Sequence, residues 1–115
     1  MANTFKVITK AGVTSADVIY TVAGSTTTVL LGIMLGNTTA GATTATVTLT
    51  SDTANRSGAN NEANQTVELV TNAPIPVGSS LELLAGNKVV METTDTLSLT
   101  GSAATDIILS VMEIT

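Results

Sequence analysis

The chain contains no cysteine, no histidine and no tryptophan. Without cysteine there is no disulfide framework, no thiolate nucleophile and no sulfur-based metal site. Without histidine the commonest general base and the commonest metal ligand are missing. Aromatic residues are reduced to Phe5 and Tyr20, so the core has to be built from Val, Leu, Ile, Met and Ala. Positive charge is scarce too: Lys6, Lys10, Arg56 and Lys88 stand against nine acids, a net charge of −5. That balance argues against nucleic acid as a partner, because phosphate binding needs clustered Lys and Arg. No apolar run approaches the roughly 20 residues that cross a bilayer, so no membrane partner is expected. No basic segment followed by an apolar one opens the sequence, so no secretory signal is expected.

What the chain has in abundance is threonine and other β-branched residues, with Gly, Asn and Ser as punctuation. That composition favours strands over helices. A length of 115 residues fits one domain, 1–115. The most apolar stretch is Val29-Leu30-Leu31-Gly32-Ile33-Met34-Leu35, preceded by three threonines and followed by a Gly36-Asn37 turn. It reads as a strand that is apolar on both faces. Plain alternation puts Val29, Leu31, Ile33 and Leu35 on the core side and Leu30, Gly32 and Met34 on the other. On that reading Leu31→Asp prevents folding, and Met34→Asp leaves a folded subunit that cannot assemble.

Other strands follow from alternation bounded by turn residues. Thr4–Thr9 is a strand within a possible N-terminal arm, residues 1–10. Asp17–Val22 is the next. Thr44–Thr50 is the cleanest, with Ala45, Val47 and Leu49 inward and four threonines outward. Gln65–Val70 follows, and then Asn72–Gly78, whose two prolines suggest a corner between sheets. Ser80–Leu84 and Lys88–Glu92 read as hairpin mates. Thr96–Thr100 and Asp106–Ile114 close the chain, the latter apolar on both parities through Ile107, Leu109 and Val111 and through Ile108, Met112 and Ile114. Eight or nine short strands and no useful amphipathic helix point to an all-β fold: a single antiparallel β-sandwich, jelly-roll-like, with a small closed barrel as the alternative. Residues 51–64 carry no periodicity and read as a long exposed contact loop.

No catalytic motif is present. Scattered acids read as a solvated face, the glycines sit at turns rather than in a phosphate cradle, and no calcium-loop pattern occurs. No enzyme activity, cofactor or metal is expected. The expected contact residues are the second apolar face, Leu30, Met34, Ile108 and Met112, together with Arg56, Asn60 and Asn61 in the long loop.

The stretch from Ala73 to Leu99, with Pro74-Ile75-Pro76-Val77-Gly78 and Leu81-Glu82-Leu83-Leu84-Ala85-Gly86-Asn87, is followed by Ile107 to Ile114. Together with Val18-Ile19-Tyr20-Thr21-Val22 and Thr27 to Thr39, it resembles small virion structural proteins of tailed bacteriophages of the marine and cyanophage type. The resemblance implies a jelly-roll-like sandwich located in the virion and assembled in the host cytoplasm. It implies a capsid decoration or cement protein that associates with itself, as a trimer, and with the major capsid protein or other virion proteins. A tail, neck or fibre component is the alternative. A surface carbohydrate-binding module is a weaker one, since sugar platforms use exposed aromatics.

Overall fold

A computed structural model describes residues 2–51 and 65–115, and the expected contact loop with Arg56, Asn60 and Asn61 lies outside them. The described residues form nine strands and no helix: β1 (Asn3–Val13), β2 (Asp17–Thr21), β3 (Thr27–Asn37), β4 (Thr43–Thr50), β5 (Thr66–Ile75), β6 (Ser80–Glu82), β7 (Val89–Met91), β8 (Thr96–Gly101) and β9 (Thr105–Ile114). Every pairing is antiparallel. One sheet runs β1-β9-β3-β6, with β7 also on β3; the other runs β2-β8-β4-β5. The pairings are nested: β4 with β5, β3 with β6 and β7, β2 with β8, β1 with β9. A long antiparallel ribbon folded over on itself in this way is a jelly roll, a sandwich made of two Greek keys.

The core lies between the sheets. β9 contributes Ile107, Leu109 and Val111, β8 contributes Leu97 and Leu99, and β4 contributes Ala45 and Val47, each buried. In all three strands the alternation read from the sequence sets which face is inside. Of the threonines of β4, Thr43 is buried and the other four turn outward, Thr46 opposite Thr100 and Thr48 opposite Ser98 on β8.

β3 departs from plain alternation. Leu30 pairs with Val111 and Gly32 with Ser110, so Leu31 is the extra residue of a β-bulge. The bulge shifts the parity within the strand. Thr28 and Leu30 face the core before it; Ile33 and Leu35 face the core after it. Leu30 is therefore 0% exposed and belongs to the core, not to the second face where alternation placed it. Leu31 and Val29, expected inside, are only partly buried.

The N-terminal strand is an edge strand of the sheet, its residues 3–10 paired in unbroken register with β9. Two further expectations change. β6 and β7 are not hairpin mates. Both lie against β3, β6 at Met34–Gly36 and β7 at Thr28–Leu30, like two pieces of one interrupted strand. The prolines do not begin a corner at residue 72: β5 continues through Pro74 to Ile75. It can do so because β5 is an edge strand, where a missing N–H costs no ladder bond.

Asn37 fixes the end of β3. Its side-chain amide donates to the Gly41 and Ile75 carbonyls at 2.8 and 2.9 Å, and its carbonyl oxygen accepts the Thr39 N–H at 2.9 Å. One buried side chain thus ties the β3–β4 turn to the end of β5 in the other sheet.

Candidate interaction surface

The outer face of the β1-β9-β3-β6 sheet is built by the same alternation that fills the core. Residues directly opposite one another in the ladder share a face. Phe5 lies opposite Met112, which lies opposite Val29, which lies opposite Val90. Farther along, Thr9 faces Ile108, Ile108 faces Met34, and Met34 faces Glu82. Between these rows come Val7, Ser110 and Gly32. The result is one continuous apolar face in which Phe5 is 71%, Val7 66%, Val90 61%, Ile108 45% and Met34 44% exposed. Gly32 and Ser110 have little or no side chain, so the middle is sunken. A depression of about 200 Å³ opens there, lined by Gly32, Ile33, Met34, Glu82, Ile108 and Ser110. Glu82 and Asp106 place negative charge at one end of the face.

Of the residues expected on this face, Met34 and Ile108 lie on it side by side, and Met112 lies on it partly covered. Leu30 does not, for the reason given by the bulge. The sequence reading missed Phe5, Val7 and Val90. In β1 the alternation was visible, but it gave no sign of which parity faces out. Lys6 and Lys10 have the parity of the core side, yet each reaches out at the margin of the sandwich, with 53% and 50% of the side chain exposed.

Their partners explain this. Lys6 Nζ lies 2.8 Å from Glu113 on β9, and Lys10 Nζ lies 2.9 Å from Asp17 on β2. Glu113 also accepts a hydrogen bond from the Tyr20 hydroxyl, which lies 2.7 Å from the Thr28 hydroxyl. These groups close the side of the sandwich where β1 and β2 run past each other. The hydrogen bond from Lys6, then that from Tyr20, holds the Glu113 carboxyl below its ordinary value. Burial, then the neighbouring Glu113 carboxylate, pushes the Tyr20 hydroxyl up to about 12. The cluster is therefore a charged carboxylate held by two donors, and it carries structure rather than an open binding site. Among the described residues no three His, Cys, Asp or Glu side chains are grouped to hold a metal.

No family model matches the chain, and no curated protein matches it. Among solved structures, it is similar to a chain described under "Bacillus endospore appendages form a novel family of disulfide-linked pili", with 19% identity and a TM-score of 0.49, over 99% of this chain and 87% of that one. A likeness at that level says nothing of function, and a chain without cysteine has no disulfide to offer.

Proposed function

We propose that the protein is a structural subunit of a larger assembly, in particular a bacteriophage virion protein that decorates and stabilises the head shell. The observation that carries the reading is the exposed apolar outer face of the β1-β9-β3-β6 sheet. A contiguous apolar face of this extent lies at the upper end of what monomeric proteins expose, and patches of that size are often contact sites. β9 is ten residues long. At about 3.3 Å per residue and about 4.8 Å between strands, three strands of about ten residues and the six residues of β6 and β7 cover roughly 570 Å². Covering it from both sides buries roughly 1,100 Å², close to the lower bound for a specific stable interface. The proposed occupants are neighbouring subunits of the particle. The virion assignment itself rests on the resemblance carried by Ala73–Leu99 and Ile107–Ile114. Bridging such neighbours adds interface area that resists outward pressure on a shell.

The test is sedimentation velocity across a concentration series, with Met34→Asp/Ile108→Asp as the comparison. The wild-type protein is expected to form larger species as concentration rises. The double variant is expected to lose the largest of them while its melting curve stays unchanged, because both side chains lie outside the core. Wild-type protein that shows no concentration-dependent growth overturns the reading. Imaging of intact particles labelled on this chain then gives the location. Label on the head supports decoration, label at neck, tail or fibre moves the role there, and particles without label remove the virion assignment.

A further inference from the structure

A sandwich of two open sheets has four edge strands, and an exposed edge is a template for pairing. Three of the four carry features that blunt it. β2 is five residues long and bulges between Val18 and Tyr20. β5 has two register shifts, a left-handed Asn72 (φ 49°) and Pro74. The fourth sheet margin is divided between β6 and β7, three residues each. β1 has none of these over residues 3–10, where its register with β9 is unbroken.

The direction of its backbone groups follows from one observation. Ala2 and Thr115 exchange both N–H···O bonds, at 2.9 Å each. In an antiparallel ladder such pairs alternate with non-bonded ones. The even-numbered residues of β1 therefore bond to β9. The N–H and C=O groups of Asn3, Phe5, Val7 and Thr9 face the open edge, and among the described residues none of them has a partner. Inward-pointing charges guard an edge when pairing would bury them unmatched. Lys6 and Lys10 lie on the core-side parity, but each is about half exposed and already has a carboxylate partner, so pairing at the edge buries no unmatched charge.

We infer that β1 pairs antiparallel with β1 of a second copy of this chain, about a two-fold axis at Val7. Charge selects the register. Centring the pair on Lys6 sets Lys6 against its own copy, and centring it on Ile8 sets Lys6 against Lys10; like charges directly opposite are destabilising. Centring on Phe5 shortens the overlap to residues 2–8. Centring on Val7 pairs residues 3–11, sets Lys6 opposite Ile8 and Lys10 opposite Thr4, and joins the two apolar outer faces across the axis with Phe5 opposite Thr9. A two-fold pair at this edge is a dimer contact, distinct from the trimer implied by the resemblance. The inference goes beyond the assembly role, since such a pair forms in a free dimer as readily as on a particle.

A chain without cysteine makes single-cysteine variants clean reporters. The axis brings the two Val7 Cα atoms to about 5.5 Å, within disulfide range. Under mild oxidation Val7→Cys is expected to form a covalent dimer at least about tenfold faster than Val90→Cys, which is similarly exposed at the far margin of the same face. Phe5→Cys alone is expected to stay monomeric on the gel, and Phe5→Cys mixed with Thr9→Cys to link. Val7→Pro removes an N–H that faces the open edge, so it is expected to keep the fold by circular dichroism and lose the dimer in sedimentation. Should that variant not fold, Val7→Lys, which sets two lysines across the axis, replaces it with the same expectation. The inference is overturned if Val7→Cys links no faster than Val90→Cys, if Phe5→Cys links with itself, or if the folded Val7 variant still dimerises. Failure here leaves the outer-face reading standing, because Met34→Asp/Ile108→Asp does not touch the β1 edge.

Discussion

Replacing Leu30 or Leu31 with alanine removes the same atoms from adjacent positions of one strand, yet the bulge in β3 gives the two changes different costs. Leu30 is fully enclosed, on β3 between β9 and β7. Truncating a leucine in such a place costs about 3 kcal/mol, the lost transfer energy plus that of the cavity left behind. Leu31 stands outside the ladder and is only partly buried. Its truncation loses roughly half of the burial energy of a leucine, about 1 kcal/mol, and leaves no closed cavity. For a domain of this size about 1 kcal/mol moves the melting temperature by roughly 4 °C, so the expected shifts are about 12 °C and about 4 °C. Thermal melts followed by circular dichroism, at a dilution where association is negligible, measure both. Urea titration should give the same order with an unchanged slope, since neither change alters the surface exposed on unfolding much. Equal shifts, or a larger one for Leu31→Ala, refute the bulge and restore plain alternation along β3.

Other expectations concern single contacts. Glu113 has a lowered folded-state pKa, so the stability it contributes is present above its unfolded value of about 4.5 and is lost as pH falls through the folded value. Glu113→Gln should lose stability at neutral pH and flatten that acid-side decline, as read from urea midpoints between about pH 3 and 7. For Tyr20 the sign is reversed: its raised pKa stabilises the fold below about 10, and this is lost as pH rises through about 12. Tyr20→Phe removes the hydroxyl that donates to Glu113 and should weaken the fold at neutral pH by about 1 kcal/mol. Asn37→Ala leaves the Gly41 and Ile75 carbonyls without their donor and should cost about 3 kcal/mol in urea titration, against little change for the exposed Thr38→Ala. Gly101→Ala brings a Cβ to 2.6 Å from the Val13 carbonyl oxygen and 2.8 Å from that of Ala103. It should cost about 2–3 kcal/mol, whereas Gly36→Ala, with nothing within 4 Å, should be near neutral in the same melts.

Most strand positions and the sandwich were legible because period-two patterns and turn residues coincide. In β4 the alternation of Ala45 and Val47 with threonine fixes both the strand and its inner face. The run from Val29 to Leu35 has no polar residue to fix its register, so nothing in it marks the slip at Leu31. The core-side parity of Lys6 and Lys10 depends on Glu113 and Asp17. The Lys6 partner lies at the other end of the chain, and no local pattern reveals it. That same parity sets Phe5 and Val7 on the outer face, which is why the candidate surface was read as Leu30, Met34, Ile108 and Met112 without its β1 half. The separation of β6 from β7 was also hidden, since Ala85-Gly86-Asn87 is as suitable for a hairpin as for the link between two pieces on one neighbour.

Maleimide labelling of Ile108→Cys as a function of protein concentration bears most directly on whether the outer face is a contact surface. Val18→Cys, exposed on the opposite sheet, supplies the reference rate. Between about 1 and 100 µM, labelling at position 108 is expected to slow roughly tenfold relative to position 18, as the apolar face is covered. Rates that stay in constant ratio over that range contradict the account.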